Sequence, residues 1–294
     1  MKKDNGISTD SSDFVFQEID LSVIIPCFLR DSSDSEYLSS CLASISQQLV
    51  KPSQIVISDN SKSDMLAKSV IQKFSDLKIN YFHNTVATGI GANTNFAAQK
   101  ASRKWIHILH QDDQLVSTNV YSFLQDETVQ KMKWILLAGS EDPKSIVIPE
   151  VSRFLILGFN TIGGPSSLIV ERNSYIPFAE NLEMLIDVEN FSNYYQLLGL
   201  PNIVKNREIQ YGNPTSRASR NISTNKVLEE LVWIINTHKL SKEFIEDSIT
   251  DKKLNHFQQS LVLKAYEEVY EIEILKSLHL RMLLNLRRVS YCAK

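Results

Sequence analysis

From Leu21 onward the chain alternates between two hydrophobic periods. "LSVIIP" (21–26) is a continuous apolar run of strand length, and "EYLSSCLASISQQ" (36–48) sets Leu38, Cys41, Leu42 and Ile45 at helical spacing. The alternation repeats with "QIVIS" (54–58) as a strand, "DMLAKSVIQKF" (64–74) as a helix, "INYFH" (79–83) as a strand, "ANTNFAAQKAS" (92–102) as a helix and "KWIHILH" (104–110) as a strand. Alternating strands and helices predict right-handed crossovers and a mostly parallel sheet. Ligands of such sheets sit beyond the carboxyl ends of the strands. The residues of interest are therefore Pro26 to Arg30, Ser58 to Ser63, His83 to Gly91 and His110 to Asp113.

After Gln125 the alternation weakens. "KWILLAG" (133–139) and "SLIVERN" (167–173) read as further strands with a glycine-rich loop, "GFNTIGGPSS", between them. "ENLEMLIDVENFSNYYQLLG" (180–199) reads as one long helix with Leu185, Val188, Phe191, Tyr195 and Leu198 on a single face. From about Ser216 the chain reads as largely helical. The expected organisation is a flexible tail over 1–18, an α/β domain over 19–215 and a helical region over 216–294.

Composition narrows the picture without redirecting it. With 294 residues and 43% hydrophobic content, one substantial core is expected. A net charge of -3 gives no general case for nucleic acid. The three cysteines, Cys27, Cys41 and Cys292, suggest neither a disulfide framework nor a zinc knuckle, which fits a reducing cytoplasm. "MKKDNGISTDSSDF" lacks the apolar core of a signal peptide, and the longest apolar runs fall far short of the roughly 20 residues a membrane span needs.

Two neighbouring carboxylates, Asp112 and Asp113, close the strand "WIHIL". Ser117 is the better-placed cap for a helix over "QLVSTNVYSFL", so helix capping explains them poorly. Two carboxylates at a strand end suit Mn2+ or Mg2+, with phosphate and water completing the shell. Asp59 also comes directly after a strand; it either bonds local backbone amides as an Asx-turn or holds the other end of a ligand shared with Asp113. "TGIGANTN" resembles a dinucleotide fingerprint only in Gly89 and Gly91, since Thr94 stands where the third glycine belongs. Asn95 either faces a ligand or bonds backbone. His83, His107 and His110 lack metal-ligand spacing and read as polar lining or satisfied core, with His110 the one candidate for substrate contact. The segment "LKSLHLRMLLNLRRVSYCAK" interleaves Lys276, Arg281, Arg287, Arg288 and Lys294 with leucines. It reads equally as a basic helix on an anionic membrane or as a helix packed on the domain.

Taken in order, "LSVIIPCFLR", "QIVISDNSKSD" and "GIGANTNFAAQKASRKWIHILHQDD" resemble the GT-A glycosyltransferases of family 2, over Leu21 to about Tyr195. The resemblance implies a Rossmann-like GT-A nucleotide-sugar-binding domain with a C-terminal helical extension. It also implies an inverting transferase dependent on Mn2+ or Mg2+. On this basis Pro26, Cys27, Asp59, Asn60, Gly89, Asn95 and Asp112 line the nucleotide-sugar site, and Asp113 with Asp112 holds the metal. Asp187, or alternatively Glu189, is the base, and Gly163, Gly164 and Pro165 form the acceptor-side loop. Leu29, Asn60, Ser61, Thr94 and His110 depart from the family pattern. "LHQDD" is similar to enzymes of bacterial O-antigen and capsule assembly. That likeness implies a glycan acceptor on a polyprenyl carrier and a site of action at the inner face of the cell membrane. A non-catalytic nucleotide-sugar or glycan binding module is the rival reading. A dinucleotide oxidoreductase would need glycines after the first strand, where "CFLRDSSDS" has none.

Overall fold

Each apolar run between Leu21 and Leu109 forms the strand its pattern predicts. The computed structural model describes residues 17–212, 223–251 and 255–270. Most of the expected tail, and the basic segment 276–294 with Cys292, lie outside the described residues. The elements are β1 (Gln17–Cys27), α1 (Ser32–Ser46), β2 (Val50–Asp59), α2 (Met65–Ile71), β3 (Ile79–His83), α3 (Ile90–Lys100) and β4 (Trp105–Ile108). They continue with β5 (Gln114–Leu115), β6 (Trp134–Ser140), β7 (Leu168–Glu171), α4 (Ile186–Leu198), β8 (Asn202–Gln210), α5 (Thr224–Thr237), α6 (Lys242–Thr250) and α7 (His256–Tyr270).

One sheet runs in the order β3-β2-β1-β4-β7-β6-β8-β5. The β3-β2-β1-β4 half is parallel, whereas β7 is antiparallel to both β4 and β6, β8 is parallel to β6, and β5 is antiparallel to β8. Alternate strand residues enter two separate cores. Ile24, Val56, Ile106, Leu136 and Val170 pack with α3 through α7, while Val23, Ile25, Ile57, Ile135 and Ile169 pack with α1 and α2. The four apolar residues read from the α1 pattern, Leu38, Cys41, Leu42 and Ile45, are all fully buried.

Two expectations shift, and one strand is new. The segment after Ser117 makes short 3-10 turns at Ser122–Gln125 and Val129–Lys131 instead of a helix. The helix expected from Glu180 begins only at Ile186, because residues 176–185 run as an irregular segment held by other side chains. "NIVKNREIQ" forms β8, although its mixed polarity hides the strand. Its pairing with buried β6 decides its conformation. Among the described residues, no helix is long and apolar enough to cross a membrane.

Candidate functional site

Beyond Ile108 the chain turns at His110–Asp113, with the Asp113 N–H donating to the His110 carbonyl at 3.1 Å. Asp113 is only 4% exposed, a costly place for a carboxylate without donors. Among its partners, Ser166 Oγ donates to Oδ2, and the Gly212 N–H donates to Oδ1 at 2.8 Å. Ser166 is held in turn from two sides. Its Oγ accepts the His110 N–H at 2.9 Å, and its carbonyl accepts His107 Nε2–H at 2.9 Å. That carbonyl can only accept, so the Nε2 of His107 carries the proton and Nδ1 accepts the Tyr121 hydroxyl at 2.9 Å. Burial pushes the His107 pKa down to about 4, which keeps the ring neutral. A buried chain from Tyr121 through His107 and Ser166 thus orients Asp113.

His110, Asp112 and Asp113 can each bring one ligand atom within 4.8 Å of the others, a spacing that suits a single cation. The set of one imidazole nitrogen and two carboxylates fits Mn2+ at least as well as Mg2+. Gly212 crosses directly over this turn, where a Cβ would stand 2.1 Å from the Asp112 carbonyl oxygen. Only glycine allows that approach. Gln111 fastens the turn to the exit of β1, accepting the Phe28 N–H at 2.6 Å and donating to the Phe28 carbonyl at 3.2 Å.

On the β2 side Asp59 is fully buried. Its Oδ1 accepts the Ser61 N–H at 2.8 Å and the Ser61 hydroxyl, the Asx-turn arrangement, while Oδ2 accepts the Tyr81 hydroxyl at 2.8 Å. Cys27 lies beside it in register across β1 and β2, and burial, reinforced by the Asp59 charge, pushes the thiol pKa up. Asn60 donates to the carbonyls of Asn84 and Ala87, both at 2.6 Å, and so ties the β2 exit to the loop before α3. Gly89 begins α3 at φ 93°, a conformation that favours glycine. Asn95 turns away from this region. Its amide donates to the Phe178 carbonyl and Glu180 Oε1 and accepts from Tyr175 Oη–H and the Phe178 N–H, so all four of its bonds hold residues 175–180. Two of these partners are backbone groups of Phe178 and two are the side chains of Tyr175 and Glu180.

The glycine-rich loop closes the other side. Gly163, at φ 112°, passes so close to Tyr211 that a Cβ would lie 2.5 Å from its hydroxyl. Pro165 then starts the turn that presents Ser166. Burial raises the Tyr211 pKa, and the charges of Asp113 and Asp187 raise it further, so both carboxylates lie within electrostatic reach of one phenol. Asp187 is half-buried in the first turn of α4, where the helix dipole favours an anion. Glu189 points elsewhere: it is buried and accepts from His238 Nε2 at 3.0 Å and from Asn193 Nδ2 at 2.8 Å. Sequence reasoning passes over Gly212, Tyr211 and Tyr81 as functional residues and includes Gln111 only as part of the His110–Asp113 stretch. A lone glycine and tyrosine after an unrecognised strand carry no periodic signal, and Ser166 enters only as part of the loop.

Residues 22–126 match the family model described as Glycosyl transferase family 2. Among curated proteins, none matches the chain. Among solved structures, TarS 1-349 of S. aureus in complex with UDP-GlcNAc is similar with a TM-score of 0.56 and 17% identity, covering 83% of this chain and 79% of that one. The mannosyltransferase PcManGT from Pyrobaculum calidifontis, in complex with GDP-Man and Mn2+, is similar with a TM-score of 0.55 and 12% identity, covering 92% of this chain and 80% of that one. At these identities the likeness speaks for the architecture alone, and that architecture is the GT-A glycosyltransferase fold.

Proposed function

We propose that this chain is an inverting, metal-dependent glycosyltransferase that moves a hexosyl or deoxyhexosyl group from a nucleotide-diphosphate sugar to a glycan acceptor. The observation that carries the reading is the convergence of His110, Asp112 and Asp113 at the end of β4, with Asp113 tied through Ser166 to the Gly163–Ser167 loop. Asp113 and Asp112, with His110 beside them, would hold Mn2+ or Mg2+. Bound there, the cation would supply Lewis-acid neutralisation of the leaving diphosphate, worth several kcal/mol in general. Pro26, Cys27, Asp59, Asn60 and Gly89 line the nucleotide side. In this reading Asp59 is assigned to the base, which would have to reach its buried Oδ2 beside the Tyr81 hydroxyl, and Asp112 also meets the ribose.

On the other side Gly163, Gly164 and Pro165 shape the acceptor loop, where the lack of side chains lets a sugar approach the backbone. Asp187 takes the proton from the acceptor hydroxyl as its oxygen bonds the anomeric carbon on the face opposite the leaving diphosphate. Glu189 is held by His238 and is the weaker candidate. An acceptor on a polyprenyl carrier, as in O-antigen or capsule assembly at the inner face of the membrane, is supported by the "LHQDD" resemblance. Ile146, Val147 and Ile148 are each 44–48% exposed, and the bridge from Val147 to Gly139, which packs on Tyr211, sets this apolar strip near the acceptor loop.

The test is release of the leaving nucleotide, a nucleoside diphosphate from UDP-, dTDP- and GDP-sugars and CMP from CMP-sugars, with and without Mn2+. Metal-dependent turnover of one nucleotide class supports the proposal. Binding without turnover, unchanged by any glycan acceptor, favours the binding-module reading, and neither binding nor turnover overturns both.

A further inference from the structure

Glu230 is 3% exposed on α5, away from every motif of the candidate site. Its carboxylate reaches the start of another helix. Oε1 accepts the Glu183 N–H at 2.8 Å, and Oε2 accepts the N–H groups of Met184 at 3.0 Å and Leu185 at 2.9 Å. These three consecutive amides lead directly into α4, and the cap residue Leu185 has no side-chain cap of its own. Amides at a helix start have no intrahelical partner, and the positive end of the helix dipole favours a full negative charge there. A local Ser or Asp cap binds amides inside the first turn, whereas Glu230 binds the amide of the cap residue and the two before it, and so fixes how the chain enters α4. It also fixes where the helix begins, since Leu231, Ile234 and Ile235 of α5 and Ile186, Val188 and Phe191 of α4 share one core.

Asp187 stands two residues beyond Leu185, in the first turn that this clamp sets. We propose that Glu230 is a positioning residue for the acceptor-side base, so that the C-terminal helices complete the active site from behind. This inference rests on reading Asp187 as that base. A base must lie within hydrogen-bond reach of the acceptor proton, and a misplacement of about 1 Å costs on the order of 100-fold in rate. Asp59 and Cys27 of the donor side lie on β1 and β2, bounded by the other core and by β3, so the clamp bears on them less directly than on Asp187.

The experiment compares full-length wild type, Glu230→Gln, Glu230→Asp, Asp187→Asn and a control, Leu263→Ala, which opens a cavity in the same core at α7. Steady-state transfer is measured together with amide hydrogen exchange over residues 182–188. Glu230→Gln keeps the volume but turns an amide N–H2 toward backbone donors. It should lower kcat by about tenfold or more, hold donor KM within about twofold and speed exchange over 182–188. Glu230→Asp keeps the charge on a shorter stem and should recover part of kcat, and it serves if the Gln variant fails to fold. Leu263→Ala should lower the melting temperature with kcat retained. An unchanged kcat in both Glu230 variants, while Asp187→Asn abolishes transfer, overturns this inference and leaves the function standing. Equal kcat losses in Leu263→Ala and Glu230→Gln overturn it as well, by marking a general effect of instability. Normal transfer by Asp187→Asn removes the base assignment and this inference with it.

Discussion

The two halves of the sheet solve the same problem in different ways. Asp59, on the parallel half, is satisfied by Ser61 two residues on and Tyr81 twenty-two residues on. Asp113, at the boundary with the mixed half, takes its donors from Ser166 and Gly212, 53 and 99 residues on. The donor side is thus assembled by near neighbours within successive strand-helix units. The acceptor side exists only once the segments before β7 and after β8 have met the turn at His110–Asp113, and α5 has met the entry to α4. Damage to the first should act on nucleotide binding, and damage to the second should separate binding from transfer.

Asp113→Ala strikes the seam between the halves and should have the largest effect. Metal-dependent stabilisation by nucleotide-sugar in a thermal-shift assay should vanish. The abandoned donors of Ser166 and Gly212 should also cost about 1–3 kcal/mol each, read by urea unfolding. Retained metal-dependent stabilisation would show that the seam is not the cation site. Asp187→Asn lies wholly on the acceptor side. It should reduce transfer by about 10²–10⁴-fold with donor binding intact, and full transfer would sink the base assignment.

His107 offers a smaller test through pH. Its pKa is about 4 folded against 6.5 unfolded, so between those values the unfolded chain binds the extra proton. The stability that the neutral ring gives is complete above pH 6.5 and is lost as the pH falls toward 4. The loss between pH 7 and pH 5 should be about 2 kcal/mol in urea unfolding, and His107→Gln should remove most of that dependence. Identical pH dependence in the variant would mean that other groups dominate. Tyr81→Phe is the mildest probe. It removes one donor from Asp59 and should cost about 1 kcal/mol in stability, with any change in kinetics confined to donor KM. An effect on kcat alone would blur the division between the halves.

The same contrast decides how much of this arrangement is legible in the sequence. Strands β1 to β4 and helices α1 and α3 carry unbroken apolar runs or a clear helical period, and Asp59, Asp112 and Asp113 stand where those runs stop. Strand β8 is concealed by Lys205, Asn206, Arg207 and Glu208, so Tyr211 and Gly212 after it have no recognisable element to end. The amphipathic pattern of α4 extends upstream of the helix itself, while the true start depends on Glu230, 45 residues from Leu185. Asn95 shows the converse: a residue legible in a motif proves to serve the 175–180 segment. Local periodicity reports elements, whereas partners that meet across dozens of residues leave no period to read.

The measurement that bears most directly on the central claim is isothermal titration of the wild-type protein with UDP-, dTDP-, GDP- and CMP-sugars, each with and without Mn2+. The account predicts one nucleotide class that binds with Mn2+ and loses most of its affinity without it. Binding that is indifferent to the cation, or no binding by any donor, would contradict the role assigned to His110, Asp112 and Asp113.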